Sequence, residues 1–186
     1  MCSLSRLIDQ VRACSICADK LVLGPRPIVQ LSSEAKVLII GQAPGRKVHV
    51  SGVPWDDNSG HRLREWLGLT PADFYDDRKI ALMPMGFCYP GKGTGGDLPP
   101  RRECAPLWHD RIVQQLPEAR LTLLVGGYAQ KAYIANRGGS LADRIINSMA
   151  TSTGVIALPH PAWRSVCGFR GDRARCSDLM ARGIPR

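Results

Sequence analysis

Four unevenly spaced cysteines carry the first chemical signal. Cys14 and Cys17 form a Cys-x2-Cys pair, Cys88 lies far downstream, and Cys104 follows it by sixteen positions. A Cys-x2-Cys pair lets two thiolates reach one centre from a single turn, and two more from loops complete a tetrahedral set. Such a set suits zinc or an iron–sulfur cluster. Spacing does not choose between these, because Cys88 and Cys104 form no second Cys-x2-Cys. The competing reading makes Cys88 and Cys104 buried apolar side chains. The first residues, MCSLSRLIDQVRAC, contain Asp9 and lack the apolar core of a secretory signal. A cytoplasmic location is therefore expected, where seven cysteines argue for metal or redox chemistry rather than disulfides. Cys2, Cys167 and Cys176 have no partner at metal spacing.

The second signal is the stretch GQAPGRKVHVSGVPW at residues 41–55, directly after the apolar run KVLII. A hydrophobic strand that empties into a Gly/Pro loop before a helix presents a site at the carboxyl edge of a sheet. Gly41 and Gly45 read as backbone-permissive positions, where main-chain amides can approach a ligand closely. His160, between Pro159 and Pro161, follows a short apolar strand and is delivered to the same edge. His61 and His109 read as surface residues, and His49 as a solvated loop residue or an acid–base group.

These residues need a scaffold, and apolar periodicity predicts one. Leu4, Leu7, Ile8 and Val11 make one helical stripe, capped by Ser3 or Ser5 and ending near Arg12. Strands are expected over residues 35–40, 80–85, 121–125 and 155–158. Helices are expected over 59–67, 104–116, 128–136 and 141–149, with a short one opened by Thr70-Pro71. Residues 91–102 are rich in Gly and Pro and are expected to be irregular. Strand and helix alternate four times. The expected fold class is α/β, a three-layer α/β/α sandwich around a short, mostly parallel four-stranded sheet. A single domain over residues 1–186 is expected, with 164–186 a basic, poorly packed tail. Trp66 and Trp108 lie on apolar helix faces and read as core.

The net charge of +9, from 25 Lys+Arg against 16 Asp+Glu, favours a polyanionic partner, nucleic acid first. No run is apolar enough for a bilayer span.

Taken in order, these motifs resemble the uracil-DNA glycosylase superfamily, nearest its iron–sulfur (family 4) type. That type has an opening Cys-x2-Cys, a strand followed by GEAPG, then G-x-P-F and a helix start. Here these correspond to Cys14/Cys17, Gly41-Gln42-Ala43-Pro44-Gly45, Gly52-Val53-Pro54-Trp55 and Gly60…Leu63. Two cysteines sixteen positions apart match Cys88 and Cys104, and a His-Pro dipeptide matches His160-Pro161.

The resemblance implies a DNA glycosylase that removes uracil or another deaminated base in base excision repair, a monofunctional, monomeric hydrolase acting on single- or double-stranded DNA. It implies that Cys14, Cys17, Cys88 and Cys104 hold a [4Fe–4S] cluster, with zinc the lesser candidate. It places base binding at Gly41, Ala43, Pro44, Gly45 and Trp55, whose ring stacks on the base. His160 becomes the donor to the leaving base. Three positions depart from the pattern. Gln42 replaces the Glu of GEAPG, His49 stands where the family has Asp, and the family's base-reading Asn falls on Pro84, or on Met85 if shifted by one. Asp56 and Asp57 are then the carboxylates placed to substitute, and Gln42 and His49 remain candidate catalytic positions. The alternative reading is a catalytically silent nucleic-acid or damaged-base binding protein with the same fold.

Overall fold

The computed structural model describes residues 3–118, 120–134 and 154–162. The expected helix over 141–149 and the basic tail after Trp163 lie outside the described residues.

Four strands form one all-parallel sheet: β1 (Val37–Ile40), β2 (Ile80–Leu82), β5 (Leu121–Val125) and β6 (Val155–Leu158), in the order β2-β1-β5-β6. Register runs from Val37 opposite Ile80 and Leu121 to Val125 opposite Leu158. The strands are apolar on both faces because both faces are covered. Leu38, Ile40, Ala81, Met83 and Leu124 point to one side. They pack there against the Leu4–Leu7–Val11 stripe of α1 (Ser3–Arg12) and against Trp108 and Ile112. Ile39, Leu82, Leu123, Val125 and Leu158 point to the other, against Leu63 of α3 (Asn58–Leu67) and Phe74 of α4 (Pro71–Phe74). Two cores sharing one sheet make the three layers.

The outer edge of β2 is not left open. Gln30 exchanges backbone hydrogen bonds with Leu82 (3.1 and 2.7 Å), and its side-chain amide donates to the Ile80 carbonyl at 2.8 Å. This covers the unpaired donors and acceptors of an edge strand. At α4, Thr70 accepts from the Asp73 amide, with Pro71 at the first helical position.

Several expectations change. Residues 41–55 are not one loop, since a six-residue helix, α2 (Arg46–Ser51), lies inside them. Arg26 donates to the carbonyls of His49 and Val50 at its end, and Gly52 closes it in the left-handed conformation, φ 76°. Residues 91–102 contain a minimal antiparallel pair, β3 (Lys92–Gly93) and β4 (Gly96–Asp97). β2 stops at Leu82 and leaves Met83–Gly86 as a bonded exit loop. The expected helix over 104–116 begins with a π-helical turn, Ala105–His109, and continues as α5 (Asp110–Val113). That turn carries His109 inward to 3% exposure, so it is a core residue and not a surface one. α6 (Gly127–Tyr133) ends short of Asn136. Trp108 is buried as expected, and Trp66 is half-buried.

Candidate active site

A pocket of about 460 Å³ opens at the carboxyl edge of the sheet, where β1, β2 and β6 end. Its floor is the run from Gly41 to Gly45. Two bonds lock that run to the exit of β2: the Met85 amide donates to the Gly41 carbonyl at 2.9 Å, and the Gly86 amide to the Gln42 carbonyl at 3.0 Å.

Trp55 covers one side. It is the one non-glycine residue with positive φ (58°) among the described residues, a conformation that costs a bulky residue roughly 1–3 kcal/mol. Its surroundings hold it there. The Trp55 carbonyl lies so close over Gly60 that no Cβ fits at that position. Arg64 donates to the same carbonyl at 3.4 Å. The indole ends over Gly41.

His160 faces Trp55, with ring centroids 6.1 Å apart and planes tilted by 31°. Three contacts hold the loop that carries it. Arg62 of α3 donates to the Pro161 carbonyl at 2.7 Å. The fully buried Gln130 of α6 donates to the carbonyls of Leu158 (2.8 Å) and Leu124 (3.4 Å), pinning the ends of β6 and β5 together. Gly126, with φ 86°, leaves room for the imidazole: a Cβ there would sit 3.3 Å from that of His160. Burial pushes the His160 pKa down, opposed in part by the Asp57 charge, so the imidazole is neutral at pH 7.

Asp57 has two jobs. Its Oδ1 accepts from the Gly60 amide at 2.8 Å and caps α3, and the residue also lines the pocket. A Cβ on Gly45 would lie 3.7 Å from Asp57 Oδ2 and 3.5 Å from Asp97 Oδ2, so two carboxylates flank the Gly45 end of the floor. Asp97 comes from the β3–β4 hairpin, where its Oδ1 accepts from the Tyr89 hydroxyl at 3.3 Å.

The structure thus brings Gly41, Gln42, Ala43, Pro44, Gly45, Trp55, Asp57, Pro84 and His160 to one pocket. It does not bring all the sequence candidates there. Asp56 is exposed and does not line it. Met85 is buried in the core behind it. His49 is 7% exposed on the inner side of α2, away from the pocket wall, so it is not a solvated loop residue. Its pKa is lowered by burial first and by the Arg26 charge second, while a Leu23 backbone contact opposes both.

Two groups, Asp97 and Gln130, escaped sequence reading, and a third, His109, was read as surface. Asp97 sits in a stretch without periodicity. Gln130 has no polar neighbour in sequence to mark it. His109 bonds through Nε2 to the Pro84 carbonyl (3.1 Å) and through Nδ1 to the Tyr133 hydroxyl (2.7 Å). Because a carbonyl only accepts, Nε2 carries the proton, and Nδ1 accepts from Tyr133. Burial lowers the His109 pKa to about 4 and keeps this tautomer neutral.

The four sequence-singled cysteines also meet. Cys14, Cys17, Cys88 and Cys104 line one small pocket, walled by Leu21, Phe87 and Trp108 with Arg101 alongside. All four are free thiols. Burial, with the neighbouring cysteines adding to it, raises the Cys88 thiol to about 11 and the Cys104 thiol in the same direction. Four sulfur donors lining one mostly apolar pocket match an iron–sulfur group in donor number and donor softness. Among the described residues, no group of three or more His, Cys, Asp or Glu side chains is placed to hold a metal ion.

The carboxyl edge of the parallel α/β sheet thus carries a Gly/Pro floor, an aromatic cover, a neutral histidine and a carboxylate around one pocket. The sequence profile of the Uracil DNA glycosylase superfamily matches residues 28–179, and the chain belongs to that superfamily. Membership supports a DNA-glycosylase type of function and DNA as the bound partner. The match includes Cys88 and Cys104, starts after Cys14 and Cys17, and runs into the segment read as a basic tail. Among the described residues no helix is long and apolar enough to cross a membrane.

Proposed function

We propose that the chain is a monofunctional DNA glycosylase that hydrolyses the N-glycosidic bond of uracil or another deaminated base flipped out of DNA. The observation that carries this reading is the meeting of Trp55, His160 and Asp57 around the Gly41–Gly45 floor. The flipped base stacks on Trp55. As the bond from the sugar C1′ to the base nitrogen breaks, its electron pair stays with the base. Charge develops on a base oxygen, and the neutral His160 donates an N–H to it without first losing a proton. The sugar becomes oxocarbenium-like and is stabilised by the Asp57 carboxylate. Water adds to C1′, and Asp57 takes its proton.

The cysteine chamber has a separate task in this reading. Cys14, Cys17, Cys88 and Cys104 would hold a [4Fe–4S] cluster that ties the N-terminal segment to the loop after β2. No catalytic step passes through it.

The decisive assay incubates anaerobically prepared protein with oligonucleotides bearing uracil, hypoxanthine or xanthine, single- and double-stranded, followed by alkaline cleavage of abasic sites. Strand cleavage with at least one base supports the reading. Binding without cleavage of any of them rejects it and leaves a silent damaged-base binder.

A further inference from the structure

Trp55 sits at φ 58°, a conformation a bulky residue leaves unless its neighbours hold it. Two positions of α3, one turn apart, meet its carbonyl. The first is Gly60, where that carbonyl occupies the space a side chain would need. The second is Arg64, four positions on and therefore on the same face of the helix. A helical side chain leans toward the N-terminus of its helix, so that of Arg64 runs back over Gly60. There its Nη1 donates to the Trp55 carbonyl at 3.4 Å. That bond is long, and three further contacts aim it. The same nitrogen donates to the Tyr75 hydroxyl at 3.1 Å. The guanidinium also lies 5.4 Å from the Phe74 ring centroid and 5.5 Å from that of Tyr75, both within cation–π range. The two rings meet edge to face at 5.3 Å, and Phe74 is fully buried, so the platform is anchored in the core. Arg64 itself does not line the pocket.

We propose that Arg64 is the positioning residue that keeps the Trp55 indole over Gly41. It acts through the Trp55 peptide and touches no reacting atom. A carbonyl held between Gly60 and Arg64 fixes the peptide plane that follows Trp55, and with it the direction in which the ring leaves the chain. Released, that peptide turns, φ returns to negative values, and the indole swings off the floor. A lysine cannot take the place of Arg64. Its ammonium is a point charge, whereas the planar guanidinium stacks on rings and donates in fixed directions at once. The inference rests on the glycosylase reading for what the indole does, but not for whether Arg64 holds it.

The first measurement uses free protein and acrylamide quenching of tryptophan fluorescence. The Trp55 contribution is the difference between each protein and its Trp55→Phe counterpart. Arg64→Met and Arg64→Lys are both expected to raise quenching of Trp55 and to leave the remaining tryptophan signal as in wild type. Should Arg64→Met fold poorly, Arg64→Lys decides the question by the same measurement. The second measurement is the single-turnover rate on the base that wild type excises. Arg64→Met is expected to lose about 10-fold or more, the scale of one aromatic–base stack. In a Trp55→Gly background, with no ring to hold and no strained φ, Arg64→Met is expected to cost nothing further. Trp55 quenching as in wild type in both Arg64 variants overturns the proposal. So does an equal loss of rate with and without the indole, since Arg64 would then act on something else. If wild type excises no base yet the Arg64 variants expose Trp55, the glycosylase reading falls and this one stands.

Discussion

The indole of Trp55 lies directly over Gly41, so that a single methyl group on Gly41 would sit 2.6 Å from the indole Cζ2. The aromatic cover and the first residue of the floor are therefore one fitted pair, and the hydrogen atom on Gly41 is what lets the lid close. Gly41→Ala has to push the ring outward, because the floor is held by the Met85 amide at 2.9 Å and cannot drop. A displacement near 1 Å in a reacting geometry costs of order 100-fold in rate. We expect Gly41→Ala to lose excision on that scale with a small change in Tm and an altered tryptophan fluorescence. Trp55→Phe, with a smaller ring, is expected to restore part of the loss in the double variant. Independent, additive losses in a double-mutant cycle would show that the two residues do not act as a pair.

Asp57 and Asp56 are neighbours in sequence with different surroundings. Asp57 caps α3 and lines the pocket, whereas Asp56 does neither. Asp57→Asn keeps an acceptor for the Gly60 amide and removes the charge. It is expected to reduce kcat by about 100-fold or more, the low end for a positioned acid–base group, with Tm nearly unchanged. Asp57→Ala should lose the same rate and a further 0.5–2 kcal/mol or so of stability through the missing cap. Asp56→Asn should stay within a few-fold of wild type. Single-turnover rates and thermal melts on the three variants separate charge from cap.

What the sequence showed and what it hid divide by range of interaction. β5 and β6 follow from continuous apolar runs, and α4 from Thr70-Pro71, because each signal is local. The α1 stripe follows from spacing alone. Helix α2 was invisible because RKVHVS has β-branched valines and no local cap. Arg26, more than twenty residues upstream, supplies the partner for its last carbonyls. His109 reads as surface because histidine is polar. Its burial depends on an acceptor at Pro84 and a donor at Tyr133, both about 25 positions away. The pocket's backbone frame was legible in GQAPG and His-Pro, since glycine and proline mark conformations. The second carboxylate at its rim, Asp97, was not, since a two-residue strand pair has no period to read.

The Tyr133–His109–Pro84 chain makes stability depend on pH. Folded His109 has its pKa lowered to about 4 by burial, against 6.5 as the ordinary value. The unfolded chain therefore binds the proton first as pH falls. Stability is complete above pH 6.5 and declines as pH drops toward 4, where the folded protein also takes the proton. The difference corresponds to about 3 kcal/mol across that window. Denaturant melts at stepped pH are expected to show this slope, and His109→Gln to flatten it. Tyr133→Phe leaves Nδ1 buried without its donor and should cost about 1–3 kcal/mol at neutral pH. An unchanged slope in His109→Gln would assign the pH dependence to other groups.

The cysteine pocket joins parts of the chain that also meet in the core, where the α1 stripe packs with Phe87, Trp108 and Ile112. Cys14 and Cys17 follow α1, Cys88 lies in the exit from β2, and Cys104 opens the π-helical turn that carries Trp108 to the cysteines and His109 to the Pro84 carbonyl. Lys20 and Glu103 form a 3.3 Å surface ion pair on this side, weak because water and salt screen it. Loss of the proposed cluster should loosen the segment after Cys17 first, where Val22 is 84% and Leu23 43% exposed. We expect anaerobically purified protein to contain iron and acid-labile sulfide in equal amounts, and Cys88→Ala to contain neither. Limited proteolysis is expected to cut that variant near Val22–Leu23 while wild type resists. Excision should fall with it, because the His109 contact to Pro84 starts from the same turn. Zinc in place of iron, or a cysteine variant as protease-resistant as wild type, would reject the cluster as the tie between these segments.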